Sequence, residues 1–299
     1  MKEFKKENIV NFTKIISSSH INFLFGAGVN GRAIPQMVGF DEPREMLKAK
    51  LGRDVVNFEN DLNGLDVEVR KEILAKFIEE LKTADGEVDL KHQDLKDLEG
   101  LFSAINKLVI ETENRKITMK QVNIYTTNYD TVQEKIISNL GVLFNVISSS
   151  KNDTTNDKFF EMVGYDYGKG RYVPTFLISK IHGDLDDPIL PNINKYDDTL
   201  QAKRFEILFN MKSQLSRSNS VLFIIGYSGN DKHINGILKD CLSSGLSIYW
   251  FQYDNDSSLP EEFGSRVTII KQEDNENKVN STKMCKEIIE GSWANQSEE

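Results

Sequence analysis

The 299-residue sequence predicts an α/β fold: a parallel sheet with helices on both faces and an inserted helical module. Short apolar runs alternate with helix-like segments over most of the chain. A glycine-rich turn follows the first of these runs directly. A long charged stretch, with apolar residues three and four apart, then interrupts the alternation before it resumes.

Taken in order, Ile21 to Phe25 reads as a short buried strand running into the turn Gly26, Ala27, Gly28, which opens a strand-turn-helix unit. From about Asp41 to Lys116, residues such as Val69, Ile73, Phe77, Ile78 and Leu81 recur at helical spacing, so a helical insertion is expected there. Strand-like runs follow at Val122 to Tyr125, Val142 to Ile147, Thr175 to Ile181, Val221 to Ile225, Ile248 to Phe251 and Val267 to Ile270. Helix-like segments separate most of them, and alternation of this kind implies a parallel sheet. Ser148 to Asp157 is polar and is expected to be a surface loop; the segment from about Gly291 onward is expected to be a frayed polar tail. With no repeat of roughly 20 to 50 residues, the whole of 1–299 reads as one domain carrying its insertion.

Hydrophobic residues make up 39% and charged residues 28%, the balance of a soluble globular protein. The net charge of -9 disfavours direct nucleic-acid binding, which needs clustered Lys and Arg. No apolar run approaches the roughly 20 residues that span a bilayer, and the N-terminus has no signal-type stretch, so a cytoplasmic protein without membrane contact is expected. Only two cysteines occur, Cys241 and Cys285, and neither belongs to a CxxC pair.

Parallel sheets bind ligands outside the carboxyl ends of their strands, which draws attention to four post-strand segments. GAGVNG (Gly26 to Gly31) matches the G-x-G-x-x-G fingerprint, in which glycine lets backbone N–H groups approach a pyrophosphate at a helix N-terminus. In TTNYD (Thr126 to Asp130), Asp130 precedes a helical pattern and suits a cap, while Asn128 sits at the strand tip with an amide able to donate and accept. In KIHGDLDDP, His182 ends a core strand beside Gly183. A lone histidine is more often structural, but this placement suits a general base, with Asp184 holding the loop and Asp186 and Asp187 facing solvent. GYSGNDKHI (Gly226 to Ile234) offers N–H groups and the Ser228 hydroxyl ahead of a helix capped by Asp231, with His233 on that helix facing solvent.

In this order, GAG, TNYD, HG and GYS resemble the sirtuin family, whose NAD-binding domain carries a GAG, a Q-N-x-D, an H-G and a G-T-S motif. The resemblance spans most of the chain and implies a Rossmann-like sheet that binds NAD as substrate. It implies that Gly26, Ala27, Gly28, Gly226 and Ser228 face the pyrophosphate, with Asn30 and Asp130 also in the cofactor-binding set. Asn128 would hold the nicotinamide ribose and the attacking group, and His182 would act as general base.

The departures from the family are informative. Sirtuin deacylases carry a four-cysteine zinc module between the H-G and G-T-S motifs, whereas Gly183 to Ile225 contains no cysteine, so no metal is expected. The family's serine is Asn30 here, its Asp-Phe-Arg segment is missing, and Thr127 and Tyr227 replace its Gln and Thr. These features look like the zinc-less bacterial effectors of anti-phage defence that destroy cellular NAD. The resemblance thus implies an NAD glycohydrolase in which water replaces acyl-lysine, working as a homo-oligomer or with a partner such as a HerA-type ATPase. Competing readings are an NAD or ADP-ribose sensing module, and a deacylase or ADP-ribosyltransferase. A nicotinamide dehydrogenase needs an acid about 20 residues beyond its glycines at a strand end, and Asp41, Glu42 and Glu45 come too early.

Overall fold

The structure is a computed structural model that describes residues 2–3, 15–111, 120–148, 175–189, 202–252, 263, 267–271 and 281–294. Its strands are β1 (Lys2–Glu3), β2 (His20–Phe25), β3 (Val122–Thr126), β4 (Phe144–Ile147), β5 (Phe176–Lys180), β6 (Ser220–Ile225), β7 (Ser247–Phe251) and β8 (Val267–Ile270). Each apolar run read as a strand is one, with ends moved by a residue or two. The strands form one sheet in the order β1-β8-β7-β6-β2-β3-β5-β4, and every neighbouring pair is parallel.

The central strands are apolar on both faces because helices cover both. Phe23, Phe25, Val122, Ile124, Ile178, Val221, Phe223 and Phe251 face one layer, and the alternate residues Leu24, Tyr125, Leu222, Ile224, Ile248 and Trp250 face the other. The first layer includes α4 (Gln93–Glu111), α5 (Val132–Asn139) and α8 (Ser281–Ala294); the second includes α6 (Ala202–Leu215) and α7 (Lys232–Ser243). Buried polar residues also sit in the central strands, and two of them are paired across the sheet. Asn123 Nδ2 donates to Asn22 Oδ1 across β3 and β2 (2.9 Å), and Asn22 Nδ2 donates to the Val221 carbonyl of β6 (3.1 Å). Slipping either strand by one residue would leave buried amides unpaired, so this ladder pins the register of the central strands.

Between β2 and β3 lie α1 (Asp41–Leu51), α2 (Phe58–Asn63), α3 (Val67–Gly86) and α4. Side chains cap two of them: Asn57 Oδ1 accepts from the Asn60 N–H, and Asp66 Oδ1 from the Glu68 N–H (both 2.9 Å). The first three helices share a small core of their own, Leu47, Phe58, Leu62, Ile73 and Leu74. The expected end of the insertion, near Lys116, lies outside the described residues, as does nearly all of the expected polar loop after Ser148. Helix α8 continues through Ala294, and 295–299 lie outside the described residues. Among the described residues no helix is long and apolar enough to cross a membrane.

Candidate active site

Strands β6, β2, β3 and β5 are consecutive in the sheet, and their carboxyl ends carry the four glycine- and polar-rich segments. Ile225, Phe25, Thr126 and Lys180 lie level with one another in register. Gly226, Gly26, Thr127 and Ile181 therefore leave the sheet together, and Asn128 and His182 each stand two residues beyond neighbouring strands β3 and β5. From β2 the sheet is built toward β3, and from β6 it is built the other way toward β7, so the strand order reverses between β2 and β6. Such a reversal opens a crevice at the carboxyl ends of the strands.

The glycines of the two loops at this crevice face each other. Gly26 N–H donates to the Ile225 carbonyl and Gly28 N–H to the Gly226 carbonyl, both at 3.0 Å. A Cβ on Gly26 would lie 2.4 Å from Gly226 O; one on Gly226, whose φ is +67°, would lie 2.2 Å from Val29 N. Their first duty is thus close approach of backbone to backbone, not the open N–H cradle expected from the fingerprint. What this turn leaves exposed is Ala27, and Ser228 is exposed on the opposite loop.

Asn128 is 5% exposed, and neither its Nδ2 nor its Oδ1 makes a hydrogen bond among the described residues. Its backbone N–H is held by Thr126 Oγ1 (3.1 Å). Nearby, Asn30 Nδ2 donates to Asp130 Oδ2 (2.8 Å), while Asp130 Oδ1 accepts from the Val132 N–H at the start of α5 (3.1 Å). Asp130 therefore serves the helix start and also ties the first glycine loop to the Asn128 loop. Burial pushes its carboxyl up to about 6, against the pull of Lys180 and of the Val132 N–H. Lys180, 2% exposed, donates to the carbonyls of Tyr129 (3.2 Å) and Asp130 and pairs with Glu134 (2.7 Å).

His182 is 3% exposed, and its carbonyl accepts from the Ile189 N–H (2.7 Å), closing the loop that follows. Its Nε2 stands 3.5 Å from Asp231 Oδ1. Asp231 does occupy the N-cap of α7, but its carboxylate makes no capping bond among the described residues and turns to His182 instead. His233 does not simply face solvent: its ring centroid is 5.6 Å from that of His182. Asp184 holds its loop, accepting from Ser148 Oγ and from the N–H groups of Asp186 (2.9 Å) and Asp187 (3.1 Å). Burial raises its carboxyl, but these donors outweigh burial and leave it below the usual carboxylate value. Asp187 is not simply solvated: it pairs with the buried Arg204 (2.9 Å).

Sequence reasoning missed Lys180 and Arg204 as parts of this region, and read Asp231 as a cap without its contact to His182. A lysine inside the apolar run TFLISKI was the one local signal, because a charge in a central strand must find partners. The two cysteines lie on opposite faces of the sheet, Cys285 in one core and Cys241 in the other, and cannot share a ligand.

The SIR2-like domain family matches residues 122–276. A SIR2 homologue solved as its complex with NAD superposes with a TM-score of 0.50 at 14% identity, covering 99% of this chain and 96% of that one. A second solved structure, of a Sir2 enzyme, gives a TM-score of 0.48 at 10% identity over 98% of this chain and 100% of that one. No curated protein matches the sequence.

Proposed function

The chain belongs to the SIR2-like family, and from that premise we propose that it binds NAD in the crevice and hydrolyses it to nicotinamide and ADP-ribose. The observation that carries this reading is Asn128, a buried amide with both polar atoms open among the described residues, two residues past the end of β3 as His182 is past the end of neighbouring β5. A buried amide with open donor and acceptor fits a ligand that offers both hydroxyls and a water, as a ribose with an attacking water does. The crevice between β2 and β6 is the place where this sheet architecture receives a dinucleotide.

The glycosidic bond to nicotinamide joins ribose to a positively charged pyridinium, so its electron pair leaves to a ring that becomes neutral. Little acid catalysis is needed. The protein's tasks are to orient the ribose, to stabilise positive charge building at its C1′ and to deliver water. In this reading Asn128 positions ribose and water, and His182 takes the proton as the water oxygen bonds to C1′. Asp231 beside Nε2 would favour the imidazolium that results. Ala27 and Ser228 would flank the phosphates, and Asn30 and Asp130 would fix the loop carrying Asn128.

Water is proposed as acceptor because Gly183 to Ile225 holds no cysteine with which to build a zinc-braced peptide platform. An activity of this kind empties a central cofactor pool, and we assign it to a defence effector restrained by its own assembly or by a second chain. The test is product analysis with NAD, alone and after co-expression with the products of neighbouring genes, beside an acyl-peptide arm. Nicotinamide and ADP-ribose should appear in equal amounts, and Asn128→Ala or His182→Ala should reduce turnover by about 100-fold or more. Full turnover in either variant, or deacylation in preference to hydrolysis, overturns the reading.

A further inference from the structure

The two cysteines offer no shared metal site, since Cys285 and Cys241 lie in different cores. The structure brings together a different set. His182, Asp231 and His233 each offer a ligand atom, and these atoms all lie within 4.8 Å of one another. We propose that they form a binding site for a transition-metal dication of the zinc class, and that an ion bound there withholds the His182 imidazole from catalysis. The inhibitory consequence rests on the hydrolysis reading above; the site itself does not.

The donor set selects the ion. Two imidazoles and one carboxylate suit zinc, cobalt or nickel, whereas calcium and magnesium favour all-oxygen shells. Spacing agrees with this choice. Zinc bonds of about 2.0 to 2.1 Å in a tetrahedron place neighbouring ligand atoms about 3.4 Å apart. His182 Nε2 and Asp231 Oδ1 already stand at 3.5 Å, so two corners are spaced for the ion without rearrangement. The rings of His182 and His233 are 5.6 Å apart and inclined by 50°, so a modest turn of the His233 side chain brings in the third corner. Three protein ligands leave a fourth position for water, as in an open site.

Backbone geometry explains how residues two apart serve one ion. On a continuous helix, positions i and i+2 do not face each other. Asp231 is extended (φ -83°, ψ 98°) and His233 lies in the first turn of α7, so the change of conformation between them lets both side chains face His182. His182 arrives on a different strand end and is 3% exposed, which fixes one ligand rigidly while the other two come from the more open helix start. His233 has no part in the hydrolysis steps above.

Cobalt(II) added to the purified full chain is the direct probe, because its visible absorption reports imidazole and carboxylate coordination without any turnover. One equivalent should bind with tetrahedral-type bands, and zinc should displace it. His233→Ala and Asp231→Asn should each weaken cobalt affinity by about tenfold or more, with far-ultraviolet circular dichroism unchanged. At equal zinc concentration the melting temperature of the unmodified protein should rise more than that of His233→Ala. In the turnover assay, zinc should inhibit and a chelator restore activity, and His233→Ala should keep its basal rate while needing about tenfold more zinc for inhibition. Absence of cobalt bands in the unmodified protein, or equal affinity in His233→Ala, overturns the site. A protein that binds cobalt as described yet releases no nicotinamide supports the site and overturns the hydrolysis reading instead.

Discussion

Asn128 is an expensive residue for the fold to keep. A buried polar group without a hydrogen bond costs about 1 to 3 kcal/mol, and both ends of this amide are open among the described residues. Asn128→Ala should therefore melt at the same temperature as the parent chain or slightly higher when NAD is absent, although its turnover is lost. A clear drop in melting temperature would mean that the amide has a structural partner and would remove the main support for its role. Gly226 makes the opposite case. Its φ of +67° is costly for any residue with a Cβ, by about 1 to 2 kcal/mol, and that Cβ would meet Val29 N at 2.2 Å, with no flexible side chain to give way. Gly226→Ala should lower the melting temperature by at least about 5 °C and abolish turnover. Gly236, inside α7 with nothing within 4 Å of its would-be Cβ, is the control: Gly236→Ala should be neutral or stabilising by about 0.5 to 1 kcal/mol. Equal losses in the two variants would show that close approach of the glycine loops is not what Gly226 supplies.

At the scale of elements, α3 braces the Asn128 loop. Phe77 lies 5.3 Å from Phe40, 6.2 Å from Phe58 and 6.5 Å from Tyr129 between ring centroids, so it joins the small core of the helical module to the TTNYD segment. Farther along the same helix, Asp85 accepts from the Thr131 N–H (2.7 Å) and hydroxyl (2.8 Å) and from Lys135 Nζ (3.0 Å). Burial alone would raise the Asp85 carboxyl, but these donors outweigh it and hold it below 3.8. A depressed folded-state value means stability that is present above the unfolded pKa and lost as pH falls through the folded one. Asp85→Ala should cost on the order of 2 kcal/mol at pH 7, and the gap to the parent chain should shrink at about pH 3, as measured by chemical denaturation. A gap that is constant with pH would assign the loss to packing. None of this bracing is legible in the sequence. Periodicity shows that α3 is a helix and which stripe is apolar, but Asp85 is one acid among many on a charged stretch until its partner loop is in place. The same limit hid Asp231, whose position before a helical pattern reads as a cap while its carboxylate serves a histidine on another strand. Strand identity was far easier to read, because a strand buried on both faces must be a continuous apolar run whatever its neighbours are.

Across the whole molecule, the order of strands does what no single segment can. The first glycine turn precedes β3 by a long helical passage, yet β2 lies between β6 and β3 and brings that turn to the centre of the sheet. The SIR2-like match begins at Val122 and so omits this turn, but the Asn22, Asn123 and Val221 ladder locks its strand to strands inside the matched region. Motif order could be read from the sequence because each motif ends an apolar run; the inter-loop bonds could not, because they depend on strand order rather than chain order. A ligand in the crevice must therefore touch both halves of the chain at once. Hydrogen–deuterium exchange on His182→Ala, with and without NAD, tests this. NAD should slow exchange together in 26–31, 126–131 and 226–231, while the distal helices α1 and α2, with their separate core, stay unchanged. Protection confined to the first glycine turn would mean that the dinucleotide does not bridge β2 and β6, and the crevice would lose its claim to be the site.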